Sequence, residues 1–130
     1  MKVEVRRAGA IPVLSPAGRV TIGEPALALK GALDAAIEEG AVDVILDGSR
    51  VHYIDSTGLG ELIATARRLS EGCGGRLGIA APSRKLREIL EITGLKAIFV
   101  VADSEAMAAE ALTSARAATQ GHAIQANGSA

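Results

Sequence analysis

The run Val42-Asp43-Val44-Ile45-Leu46-Asp47 constrains this chain more than any other segment, because it is short, nearly continuous in apolar residues and bounded by turn residues. An extended segment without polar alternation has to be covered on both sides, the pattern of a central strand in a parallel sheet. Parallel neighbours need crossover connections, and the flanking segments supply them. Upstream, from Pro25, Leu29, Leu33, Ala36 and Ile37 fall at helical spacing with Lys30, Asp34 and Glu38 on the opposite face, and Gly40 stops the helix. Downstream, an extended piece from Val51 to Ile54 leads into Leu59, Leu62, Ile63, Ala66 and Leu69, a second amphipathic helix broken by Gly72-Cys73-Gly74-Gly75.

The remaining segments follow the same logic. Val3 to Arg7 alternates with period two, and Ile11 to Ser15 leads through Pro16-Ala17-Gly18 to Arg19-Val20-Thr21, which reads as an antiparallel pair of strands. Arg76 to Ala80 is a further strand. Pro82-Ser83 opens a third helix that carries Leu86, Ile89 and Leu90 and ends at Thr93-Gly94. Ala97 to Val101 is the last strand, and Asp103-Ser104-Glu105 caps a fourth helix that packs through Ala108, Ala111, Leu112 and Ala115. The order predicts one α/β domain over residues 1–118, a mixed but mostly parallel sheet of four to five strands with about four flanking helices. Residues 119–130 turn polar and are expected to form a disordered tail.

The 130 residues suffice for one ordinary domain that buries roughly two thirds of its unfolded surface. With 48 % apolar but only 2 % aromatic residues, the core has to be built from Leu, Ile, Val and Ala. Fourteen basic against fifteen acidic residues leave a net charge of -1, which argues against nucleic acid as a direct partner. The one basic stretch, Ser83-Arg84-Lys85-Leu86-Arg87, reads as a solvated helix face. Cys73 is single, so no intramolecular disulfide forms, and a reducing cytoplasm is the expected compartment. No apolar run approaches the roughly 18 residues of a membrane span.

Chemistry concentrates between Leu46 and Leu62. A buried strand, a loop and a serine at a helix start set the Ser56 hydroxyl beside backbone N–H groups that lack intrahelical partners, an environment that stabilises an anion. A phosphate there would add about -1.5 to -2 charges without breaking the fold. Residue chemistry alone also admits a plainer role: Asp55 or Ser56 is the helix cap, and Gly58 and Gly60 allow close packing of helix on sheet. Two glycines in the first turns cost on the order of 1 kcal/mol each relative to alanine, so packing or function has to justify them.

Leu46-Asp47 together with Asp55-Ser56-Thr57-Gly58-Leu59-Gly60 resembles the signature of STAS domains, and specifically of bacterial anti-sigma factor antagonists. The similarity extends over about residues 3 to 115, through Gly18, the Gly74-Gly75 turn and Leu90-Glu91-Ile92-Thr93-Gly94-Leu95 to Phe99. The resemblance implies that Ser56 is phosphorylated by a serine kinase that is also the anti-sigma factor. By the same analogy the unphosphorylated form binds that kinase and frees a sigma factor, and a phosphatase restores it. Asp55, Ser56, Thr57, Gly58, Leu59, Thr21 and Glu24 are the implied partner-binding residues, with Asp55 shaping the loop. The chain departs from better-known members after Gly18, where they carry an acidic residue and this sequence has Arg19-Val20-Thr21-Ile22-Gly23-Glu24; Glu24 is the candidate substitute. The family also contains constitutive subunits of lipid transporters and sensory scaffolds, which would use the same helix start for docking.

Other chemistries lack their parts. No phosphate loop occurs, and Gly58-Leu59-Gly60-Glu61-Leu62-Ile63 lacks the third glycine of a dinucleotide fingerprint. A serine hydrolase would need a histidine to activate Ser56, and His52 and His122 stand outside any Gly-x-Ser-x-Gly turn. Asp43, Asp47 and Asp55 have the spacing of strand and loop positions, without a second cluster to complete a metal shell. The sequence thus implies a binding protein, not an enzyme, with no cofactor and no metal, either monomeric or weakly dimeric.

Overall fold

The computed structural model describes residues 1–128, with side chains as far as residue 118. Strands β1 (Val3–Ala8) and β2 (Ile11–Pro16) form an antiparallel hairpin, with Val3 opposite Pro16 and Ala8 opposite Ile11. A short strand β3 (Gly18–Val20) precedes helix α1 (Glu24–Glu38), then β4 (Val44–Asp47), β5 (Val51–Ile54) and α2 (Ser56–Cys73) follow. The chain continues through β6 (Leu77–Ala80), α3 (Arg84–Thr93), a 3-10 turn (Leu95–Ala97), β7 (Val100–Ala102) and α4 (Glu105–Gly128).

Five strands make the main sheet in the order β1-β2-β4-β6-β7, and every pair except β1 with β2 is parallel. The apolar run at Val42 to Asp47 is accordingly its central strand. Period-two alternation divides the core in two: Leu14, Val44 and Leu46 join Leu29, Leu33, Leu62, Leu69, Leu86 and Leu90 from α1, α2 and α3. Val13 and Ile45 meet Ala108 and Leu112 of α4 on the opposite face. In α4, Ala111 is exposed, contrary to its expected packing role, because it falls outside the Ala108 and Leu112 stripe.

The helix boundaries follow local chemistry. The Ser83 hydroxyl accepts the Leu86 N–H at 3.2 Å to cap α3, and the Ser104 hydroxyl accepts the Met107 N–H at 3.1 Å at the start of α4. Gly94 closes α3 with φ of 72°, a left-handed conformation that favours glycine. Two expectations change. Arg19 and Val20 do not extend the hairpin; β3 pairs in parallel with β5 in a separate two-stranded sheet, so β5 is outside the main sheet. The last strand starts at Val100 instead of Ala97, because Ala97 and Ile98 donate back to Gly94 and Leu95 in the 3-10 turn. The expected tail at 119–130 coincides with the end of α4, whose helical backbone is described to Gly128; its side chains beyond 118 and residues 129–130 lie outside the described residues.

Candidate functional site

The small β3–β5 sheet brings the start of α2 beside the loop between β3 and α1. The Asp55 N–H donates to the Val20 carbonyl at 3.2 Å, continuing that pairing by one residue. Asp55 then leaves the strand in an extended conformation and becomes the N-cap of α2. One carboxylate oxygen, Oδ1, accepts the Gly58 N–H at 3.0 Å, while Oδ2 accepts the Ile22 N–H at 2.9 Å. The amides of Gly58 and Ile22 hold the carboxyl below the usual carboxylate range, so Asp55 is ionised at neutral pH.

Ser56 follows at the first helical position and is exposed. Among the described residues no group hydrogen-bonds to its hydroxyl, which faces solvent. Of the two candidates for the cap, Asp55 takes that role and Ser56 does not. Thr57 is half-buried and turns partly away from solvent.

Gly58 is buried. An added Cβ would lie 2.6 Å from Ile54 Cγ1 and 2.6 Å from the Val20 carbonyl oxygen, so this glycine lets α2 press onto β3 and β5. Leu59 belongs to the core at 8 % exposure, and its side chain anchors the start of the helix. Gly60 differs, because an added Cβ would meet open space. Packing explains Gly58 and leaves Gly60 without a steric reason in the isolated domain.

Thr21 is half-buried, whereas Ile22, Gly23 and Glu24 are exposed. The Ala26 N–H donates to the Thr21 carbonyl at 3.1 Å and the Leu27 N–H to the Gly23 carbonyl at 3.1 Å, which fixes the loop to the first turn of α1. The Glu24 carboxylate meets the Met1 amino group. The loop that carries Thr21 and Glu24 is tied to Asp55 through the Ile22 N–H, a bond that spacing did not show. Ile22, within the Arg19 to Glu24 loop, and Leu27, which the sequence reading does not single out, are 74 % and 67 % exposed. Leu27 carried a signal, since it falls off the Leu29, Leu33 and Ala36 face. Beside them Arg19 lies over the Tyr53 ring, 4.7 Å from its centroid.

Groups set aside on sequence grounds lie elsewhere. Asp47 accepts from Ser15 Oγ at 2.9 Å, from Arg6 at 3.0 Å and from the Ser49 N–H at 3.0 Å, and Arg6 also reaches Glu105. Asp43 is paired with Arg116 at 3.2 Å and accepts the Arg76 N–H at 2.9 Å. Cys73 is exposed in a shallow cavity with Arg76 and Arg116, and its Sγ donates to the Leu69 carbonyl at 3.3 Å. Among the described residues no cluster of His, Cys, Asp and Glu is placed to hold a metal ion, and no helix is long and apolar enough to cross a membrane.

A mixed, mostly parallel sheet with α1, α2 and α3 on one face and α4 on the other is the architecture of a STAS domain. The chain belongs to the STAS domain family: the family model described as "Mlab, STAS domain" matches residues 3–102. A curated relative from Bordetella bronchiseptica, BtrV, named as a candidate anti-sigma factor antagonist, is 36 % identical over 87 residues, 67 % of this chain and 74 % of that protein. An anti-sigma factor antagonist from Mycobacterium paratuberculosis superposes with a TM-score of 0.75 at 26 % identity, covering 86 % of this chain and 93 % of that one. A candidate antagonist from Thermotoga maritima gives a TM-score of 0.77 at 25 % identity, over 85 % of this chain and 94 % of that one.

Proposed function

We propose that this chain is an anti-sigma factor antagonist that acts in the cytoplasm by binding an anti-sigma factor serine kinase, so that a sigma factor is released. Phosphorylation of Ser56 switches it off, and a phosphatase restores it. The observation that carries this reading is the exposed, unengaged Ser56 hydroxyl beside the Asp55 cap. A phosphate at that position lies at the positive end of α2, where the fold tolerates it, and its charge is displayed to a partner. The chain's own task is reversible binding. Catalysis belongs to the kinase and the phosphatase, and the antagonist needs no cofactor.

The docking surface in this reading combines Ser56 and the exposed part of Thr57 with the loop from Arg19 to Glu24. Ile22 and Leu27 supply apolar contact, and the open side of Gly60 admits a close backbone approach. Incubation with the cognate kinase and ATP, followed by mass-spectrometric mapping, is the test: wild type gains one phosphate at Ser56 and Ser56→Ala gains none. Equal phosphorylation of both would remove Ser56 as the acceptor.

A second reading of the same family membership makes the domain a constitutive STAS subunit of a lipid transporter or a sensory scaffold. The same helix start would dock there, without a dependence on charge at Ser56.

A further inference from the structure

Strand β1 ends the main sheet: β2 pairs with one side of it, and the other side has no strand neighbour among the described residues. Such an edge offers a row of free N–H and C=O groups to another strand. Val5 stands at its middle and is 62 % exposed, although Leu14 opposite it on β2 is fully buried. Its neighbours Glu4 and Arg6 carry opposite charges and share the face opposite to that of Val5.

We propose that β1 is a self-complementary docking edge whose occupant is β1 of a second copy of this chain, paired antiparallel about a two-fold axis through Val5. A strand that pairs with its own copy in one sheet needs an axis perpendicular to the sheet, so that opposed residues are symmetric about one central residue. Centring on Val5 sets it against the partner's Val5 and sets Glu4 against the partner's Arg6, once on each side of the axis. Centring on Glu4 opposes two carboxylates, and centring on Arg6 opposes two guanidinium groups, both of which are repulsive. Charges on an edge strand ordinarily keep other strands away, and here one register turns them into attraction.

Both charged groups remain within reach of a second copy. The Arg6 side chain is 42 % exposed while it holds Asp47, and that of Glu4 is 54 % exposed in its contact with Arg50. A single pair of six-residue strands buries less than a standard stable interface, so the dimer is weak and forms with rising concentration. This surface shares no residue with the Ser56 site, and the inference stands apart from the proposed function.

Sedimentation velocity of the full chain over a concentration series up to the millimolar range tests it, with Val5→Lys, Val5→Glu and their equimolar mixture as companions. Circular dichroism verifies that the variants stay folded, as expected for a residue so exposed. Wild type is expected to shift from monomer to dimer, each variant alone to associate at least about tenfold more weakly, and the mixture to regain the dimer, because only a two-fold axis at this residue sets the two new charges against each other. Wild type that stays monomeric throughout, or folded variants that dimerise as wild type does, would overturn the inference.

Discussion

Asp55 and Ile22 are joined by a 2.9 Å bond from the Ile22 amide to a carboxylate oxygen, across 33 residues of sequence. The second oxygen of the same carboxylate caps α2 through Gly58. One side chain thus sets both the helix that presents Ser56 and the loop that stands beside it.

Removing that carboxylate should loosen the loop without exposing the core. In Asp55→Ala the amide hydrogens of Ile22 and Gly58 exchange with solvent about tenfold faster or more, a change readable by residue-resolved hydrogen exchange. Asp55→Asn retains one acceptor oxygen and is expected to protect only one of the two amides. Unchanged exchange at Ile22 in Asp55→Ala would mean that the loop is held by other contacts.

The two glycines of α2 should respond with opposite signs. Gly58→Ala forces a methyl group against the Val20 carbonyl and Ile54, an overpacking expected to cost about 1–3 kcal/mol. Gly60→Ala meets no atom and should stabilise the free domain by up to about 1 kcal/mol. Chemical denaturation compares them. A Gly60→Ala variant that is more stable yet binds the partner more weakly would identify that position as one held open for docking.

Acid should weaken the domain through Asp47. Burial pushes its carboxyl upward, but the Ser49 amide and hydroxyl, Ser15 and Arg6 outweigh it, so its pKa lies below the ordinary carboxylate value. A carboxyl with a depressed folded pKa contributes stability above its unfolded value, about pH 3.9, and loses it as pH falls through the folded value. Unfolding midpoints measured from pH 7 downward should therefore hold until about pH 4 and then drop. In Asp47→Asn the drop should be smaller and the neutral-pH stability lower.

Much of this was legible in the chain because it depends on local pattern. The continuous apolar run at Val44 to Asp47, the helical spacing of Leu59, Leu62, Ala66 and Leu69, and the Ser83 and Gly94 caps each act within a few residues. What escaped depends on partners distant in sequence. Gly18 to Val20 is too short to signal a strand, and its partner β5 begins some thirty residues later, so neither the second sheet nor the steric need for Gly58 was visible. The same distance hid the Asp55 to Ile22 bond. Ala97 to Phe99 read as extended because their apolar character does not reveal that Gly94 turns the chain into a 3-10 turn and delays the strand to Val100.

A pull-down from the native host with Ser56→Ala and Ser56→Glu as parallel baits tests the central claim most directly. An ATP-binding serine kinase is expected to be recovered by the alanine bait and lost from the glutamate bait. Recovery of the same partner by both baits, above all of transporter or scaffold components, would contradict a switch at Ser56.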